Sequence, residues 1–287
     1  MGAVNGTTVV ISADGTRRGV SVRVKWVTSM MHSVRQLSEG PKRLLMAARS
    51  ELSDYFPIEY MHVADNLDEL IQMFVATGGD PGDWVPAYSV PPRTRAPIVR
   101  ERLHEGEVLR NLDLATWGLR PSWAKDNGPA PINARIETAA TNGMFRSAFA
   151  GARAFVPMTG YYEWEALPDG KQPRFIQAGD ELLAAAGLYA PRKDPATGEW
   201  TLSFTIITRE ARDASGEVHD RMPVFLERDV WDEWLHPAKL DDPKAIVAMI
   251  DASSQAIATT MTTHLVSRDV NNVRTADPAD PELIRAI

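Results

Sequence analysis

A carboxylate set inside an aromatic run is a place to look for acid–base chemistry, and the segment Pro157-Met158-Thr159-Gly160-Tyr161-Tyr162-Glu163-Trp164 holds one. Aromatic neighbours that exclude water disfavour the ionised carboxylate and raise its pKa, the direction a general acid near neutrality needs. Period-two alternation leaves the opposite orientation open, with Glu163 toward solvent and its neighbours inward. His219, in His219-Asp220-Arg221-Met222-Pro223-Val224, stands just before a proline-limited strand. An imidazole there either relays a proton near neutral pH or takes a structural place. Asn133-Ala134-Arg135-Ile136-Glu137 follows an extended Ala130-Pro131-Ile132. Read as a strand, it aligns Asn133, Arg135 and Glu137 on one face, a polar row able to orient a phosphate or sugar.

A second group of residues suits nucleic acid. Trp117-Gly118-Leu119-Arg120-Pro121-Ser122-Trp123 sets two large aromatics and a proline among basic residues. Such a segment either stacks on and wedges between unpaired bases or buries its tryptophans in the core. Arg146 and Arg153 follow and extend possible phosphate contacts, the alternative being ordinary solvated charges. Between residues 91 and 153 there are ten Lys/Arg against six Asp/Glu, whereas the whole chain of 287 residues carries a net charge of -7. Bulk electrostatic coating of duplex DNA is therefore excluded, and a localised basic surface is not.

Zero cysteines exclude disulfides, thiolate metal sites and thiol nucleophiles. The six histidines include no pair at metal-ligand spacing, so neither a metal nor another cofactor is expected. No stretch approaches the roughly 18 apolar residues of a membrane span, and the sequence does not open on a basic-then-apolar leader. The expectation is a cytoplasmic protein with no membrane association.

These side chains need elements to hold them. Leu67, Leu70, Ile71 and Phe74 recur at i, i+3, i+4, i+7 after a capping Asp65-Asn66, which predicts an amphipathic helix ended by Gly78-Gly79. Ala154-Phe155-Val156, Tyr161 to Trp164 and Leu202 to Ile207 read as strands, and Val230, Trp231, Trp234 and Leu235 as a helix, with another over residues 243–250. Before residue 60, Thr8 to Ile11 and alternating Val20, Val22, Val24 and Trp26 around Ala13-Asp14-Gly15-Thr16 predict a hairpin, and residues 32–52 a helical stretch. The fold class is α+β with sheet dominant. Residues 1–60 are read as an atypical N-terminal extension and residues 61–287 as the main domain.

The ordered series WGLxPxW, NARxE, PxxGYYEW, HxRMP and, near the C-terminus, Val266-Ser267-Arg268-Asp269-Val270-Asn271 resembles the SOS-response-associated-peptidase (SRAP) family over about 225 residues. The resemblance implies a strongly curved, barrel-like sheet flanked by helices, with a groove for single-stranded DNA. It implies Asn133, Glu163 and His219 as the catalytic group: a positioning amide, an acid/base for sugar-ring opening and a proton-transfer imidazole. Trp117, Pro121, Trp123, Arg135, Arg146 and Arg153 would bind DNA. Family members handle abasic sites by covalent capture. The α-amine of a mature N-terminal cysteine attacks the ring-opened aldehyde, its thiolate closes a thiazolidine, and the peptidase activity removes the residues before that cysteine. This chain has Pro57-Ile58-Glu59-Tyr60-Met61-His62-Val63 where Met-Cys-Gly-Arg would stand, and Ser89 where the family usually has asparagine. Two functions follow: an abasic-site crosslinking enzyme impaired by the missing thiol, or a non-catalytic single-stranded DNA-binding member of the DNA-damage response.

Overall fold

The structure is a computed structural model that describes residues 9–11, 17–19 and 60–287, apart from 64–66, 83, 180, 195–196, 213–215, 217 and 273–274. The chain divides into two units, residues 1–55 and 56–287. In the first, β1 (Val9–Ile11) pairs antiparallel with β2 (Arg17–Gly19), Val10 opposite Arg18. The hairpin thus forms, but its second strand precedes the alternating valines. The helix expected over residues 32–52 and the Asp65-Asn66 cap lie outside the described residues.

The second unit opens with β3 (Tyr60–Val63) and α1 (Leu67–Phe74), which buries Leu70 and Phe74 as its apolar spacing predicts. The chain then turns back along the sheet, with Leu112 N–H donating to Gly78 O at 3.0 Å. Gly79 has φ 115°, and a Cβ there would lie 2.1 Å from Leu112 O, so this approach admits only glycine. Strands β4 (Ala87–Val90), β5 (Arg95–His104) and β6 (Glu107–Trp117) follow. Next come β7 (Asn133–Arg135), α2 (Ile136–Ala139) and α3 (Arg146–Gly151). After them run β8 (Arg153–Met158), β9 (Gly160–Leu167), β10 (Gly170–Gln177), β11 (Leu183–Lys193) and β12 (Trp200–Glu210). The chain finishes with β13 (Arg221–Pro223), α4 (Trp231–Leu235), α5 (Pro243–Ala258) and β14 (Thr262–Leu265).

Two sheets result. The pairings β11-β8-β5-β6-β12, completed by β12 with β11, close a five-strand barrel, and β14-β10-β9-β3-β4 form a second sheet. The expected α+β class and curved, barrel-like sheet are what the fold has. Strand β12 is parallel to β6 and β7 and antiparallel to β11 and β13. Its residues 203–209 are all buried, which is why 203–208 read as an apolar run broken only by short hydroxylated side chains, with Arg209 buried at its end. One apolar cluster gathers Met61, Trp117, Tyr161, Phe204, Ile206, Met222 and Phe225. A second packs Phe74, Phe149, Phe155, Trp231 and Trp234 under the helices.

Candidate active site and nucleic-acid interface

The C-terminal end of β12 is the organising element. On one side β7 sets Asn133 opposite Ile206 and Arg135 opposite Thr208; on the other β13 sets Pro223 opposite Thr208 and Arg221 opposite Glu210. Motifs more than eighty residues apart in sequence thereby meet across one strand. The expected polar row of Asn133, Arg135 and Glu137 does not form, because β7 stops at Arg135 and Ile136 and Ala139 bury themselves as the inner face of α2. Glu137 therefore leaves the strand face and grips Arg221 instead.

That grip is bidentate. Arg221 Nη1 donates to Glu137 Oε1 at 2.7 Å, Nη2 to Glu137 Oε2 at 3.0 Å, and Nη2 also to Thr208 O at 2.6 Å. Partial burial pushes the Glu137 carboxyl up, but the hydrogen bonds and charge of Arg221 outweigh it and hold the pKa below the ordinary value. The same arginine fixes His219: Arg221 N–H donates to His219 Nδ1 at 3.0 Å. A ring that accepts at Nδ1 carries its neutral-state proton on Nε2. Asp220 Oδ1 lies 3.2 Å from the same Nδ1. That contact is a hydrogen bond only with a proton on Nδ1, which the Arg221 N–H bond excludes, and Asp220 is largely in water.

Glu163 comes from the second sheet. It is 3% exposed, on the face of β9 shared with Tyr161, while Tyr162 and Trp164 point the other way. The solvent-facing alternative is thus excluded. Tyr161 belongs to the apolar cluster of Ile206 and Met222, the β12 and β13 residues beside Asn133 and Arg221, so Glu163's strand and the His219 motif close on a common base. β3 runs antiparallel beside β9, with Tyr60 opposite Tyr162. On the outer face Tyr162 OH donates to Tyr88 O at 2.7 Å and Trp164 Nε1 to Asn271 Oδ1 at 2.6 Å.

Among the residues expected to meet DNA, Trp123 is 61% exposed, Pro121 half-buried, and Arg135 and Arg146 exposed. Pro121, Trp123, Met144 and Tyr189 line a recess of about 170 Å³. Two expectations fail. Trp117 is fully buried, stacked on Phe204 at 6.2 Å, and its Nε1 donates to Ile132 O at 2.9 Å. It offers no ring to a base and instead anchors the segment that leads into Asn133. Arg153 is buried under α4: Nε donates to Trp234 O at 2.7 Å, Nη1 to Phe149 O and Ala150 O, and Nη2 to His236 O and Ala238 O. Its donors are used on backbone, leaving none for phosphate. Glu137 and Arg221 lie inside the NARxE and HxRMP motifs, but only their long-range pairing marks them as part of the site. Among the described residues no group of three or more acidic, histidine or cysteine side chains could hold a metal, and no helix is long and apolar enough to cross a membrane.

A closed β-barrel backed by a second sheet, with an amide and a carboxylate on strands that share one core and an imidazole in the segment leading into β13, defines an SRAP-type domain. The chain belongs to the SOS response associated peptidase (SRAP) family, whose model matches residues 60–273. It is 33% identical over 216 residues to the abasic site processing protein YoqW of Bacillus subtilis, covering 74% of this chain and 92% of that one. To YedK of Escherichia coli, also an abasic site processing protein, it is 35% identical over 191 residues, 65% of this chain and 80% of that one. Among solved structures, a Bacteroides thetaiotaomicron protein shares the fold with TM-score 0.63 at 22% identity, covering 80% of this chain and 99% of that one. A phage-related Bordetella bronchiseptica protein matches with TM-score 0.55 at 26% identity, covering 73% of this chain and 94% of that one.

Proposed function

We propose that this protein binds single-stranded DNA at abasic sites, as a cytoplasmic member of the DNA-damage response, without the thiazolidine capture that an N-terminal cysteine gives. One observation carries the reading: Asn133, Glu163 and His219, which the resemblance implies as the catalytic group, lie inside the span that matches the family, yet the 287 residues contain no cysteine. Exposed Arg135, Arg146 and Trp123 supply phosphate and stacking contacts to a flexible strand.

The roles follow from the surroundings. Glu163, shielded from water, moves the proton that opens the deoxyribose ring to its aldehyde. His219 accepts at Nδ1 and so presents Nε2–H in its neutral form, which gives a hydrogen bond to a sugar oxygen. Asn133 positions the sugar. What is missing is a single residue carrying both an amine for the aldehyde and a thiolate to close the ring.

The test is a single-stranded oligonucleotide carrying one abasic site, compared with the intact strand. Binding preference for the abasic strand, no heat-stable adduct on a denaturing gel, and loss of preference in Glu163→Gln and Asn133→Ala are the expected results. A heat-stable adduct without reductant would overturn the loss of covalent capture. An adduct seen only after borohydride would establish imine chemistry through an amine of this chain.

A further inference from the structure

Two arginines at positions that the five motifs leave unspecified stand where their energetics call for an anion. Arg93 sits in the turn of residues 91–94 with φ 74°, in the left-handed region that disfavours any side chain. The turn is held there: Arg93 N–H donates to Trp117 O at 2.9 Å, Trp117 N–H to Thr94 O at 2.9 Å, and Thr94 Oγ1 to Pro91 O at 2.7 Å. Its guanidinium lies over Gly118, where a Cβ would come within 2.8 Å of Nη1. Arg120 approaches from two residues further on, its N–H fixed by Ser203 Oγ at 2.8 Å and its Nη1 by Asp126 O. Among the described residues neither guanidinium pairs with a carboxylate, and the Asp126 carboxylate is taken by Arg192. Burial, and then the charge of Arg120, lower the Arg93 pKa from its ordinary value. Like charges in proximity repel, and an anion between the two guanidinium groups reverses the sign of that interaction.

The place fits a strand that continues from the site. Leu119 N–H donates to Pro131 O at 3.0 Å, so the Arg93–Arg120 pair borders the segment that enters β7. Ala130 O lies 3.2 Å from the Gly118 Cβ position, and from Ala130 to Asn133 is three residues, at most roughly 10 Å of chain. We propose that Arg93 and Arg120 together clamp a backbone phosphate of the DNA flanking the Asn133, Glu163 and His219 site. This rests on the single-stranded DNA reading above. Guanidinium forks match phosphate oxygens bidentately, which a pair of lysines does not.

The test uses the full chain with Arg93→Gly, Arg120→Gln, the double variant, and Lys244→Gln on exposed α5 as control, titrated with abasic and intact strands at several salt concentrations. Each clamp variant should weaken both strands by the same factor, on the order of tenfold. The double variant should make the log K against log salt slope shallower by about 0.7, the value for one phosphate of a single strand. Arg93→Gly should at the same time raise the melting temperature, since glycine tolerates φ 74°. Lys244→Gln should change neither reading. Unchanged affinity and slope in the double variant, with wild type still preferring abasic DNA, would overturn the clamp and leave the proposed function standing. Absence of DNA binding by wild type would overturn both. Displacement of DNA by millimolar inorganic phosphate, beyond chloride at matched ionic strength, would reassign the pair to a free anion.

Discussion

His62 is a polar residue in an apolar place. It stacks on Tyr88 at 4.6 Å, meets Phe175 at 5.7 Å, and neither ring nitrogen has a hydrogen-bond partner among the described residues. Burial lowers its pKa from 6.5 to about 4. The folded state therefore holds the neutral ring, while the unfolded chain takes a proton below about 6.5. Stability from this source is fully present above pH 6.5 and falls as pH drops toward 4. His62→Phe should keep the stacking, raise stability at pH 7 by about 1 kcal/mol, and flatten the loss between pH 6.5 and 4 in urea unfolding. Arg153 predicts the opposite. Arg153→Met leaves a cluster of buried carbonyls unsatisfied and should cost about 3 kcal/mol or more, with no selective loss of DNA affinity in the folded fraction. A selective loss would return Arg153 to the DNA surface. These two, with Trp117, mark the limit of residue-scale reading: a sequence shows charge and aromaticity, but depth is a property of the packed chain.

Among elements, the most local were the most legible. α1 was readable because Leu67, Leu70, Ile71 and Phe74 repeat at helical spacing, so the buried face is written in the period itself. β7 was only half readable. Asn-Ala-Arg-Ile-Glu alternates acceptably as a strand, yet burial of Ile136 and Ala139 turns it into helix and frees Glu137 to reach Arg221. The Glu137 carboxylate is half in water, so the pair contributes modestly despite its bidentate geometry. Glu137→Gln should lower stability by about 1 kcal/mol above pH 5 and by less as the wild-type carboxylate protonates, because its pKa is depressed. Its larger effect should be faster amide exchange at residues 208 and 221, where β12 and β13 meet the pair. Exchange confined to the chain ends would refute that link.

For the whole molecule, the five motifs were legible in order because each is short and local, but the arrangement that unites them was not. Nothing near residue 206 in sequence announces a parallel partner at residue 133. The α+β class followed from counting short strands, whereas barrel closure depends on long-range pairings that carry no local signal. An acidic chain with a basic middle segment should bind DNA weakly and with strong salt dependence, the affinity falling linearly in log–log form as chloride rises. Affinity independent of salt would argue against backbone contacts altogether.

The central position of β12 also sets an order of assembly. β6 and β11 each receive a partner from residues 200–210, so the ring stays open until that stretch has left the ribosome. A nascent chain halted at residue 199 would leave β11 unpaired along residues 187–193 and β6 without its partner at Thr116 and Trp117, a template for association with other chains. Released at that length, it should be recovered as aggregate, and extension to residue 223, which adds β12 and β13, should begin to restore solubility. Selection on this protein therefore reaches beyond the finished site to the interval of synthesis in which the barrel has a gap.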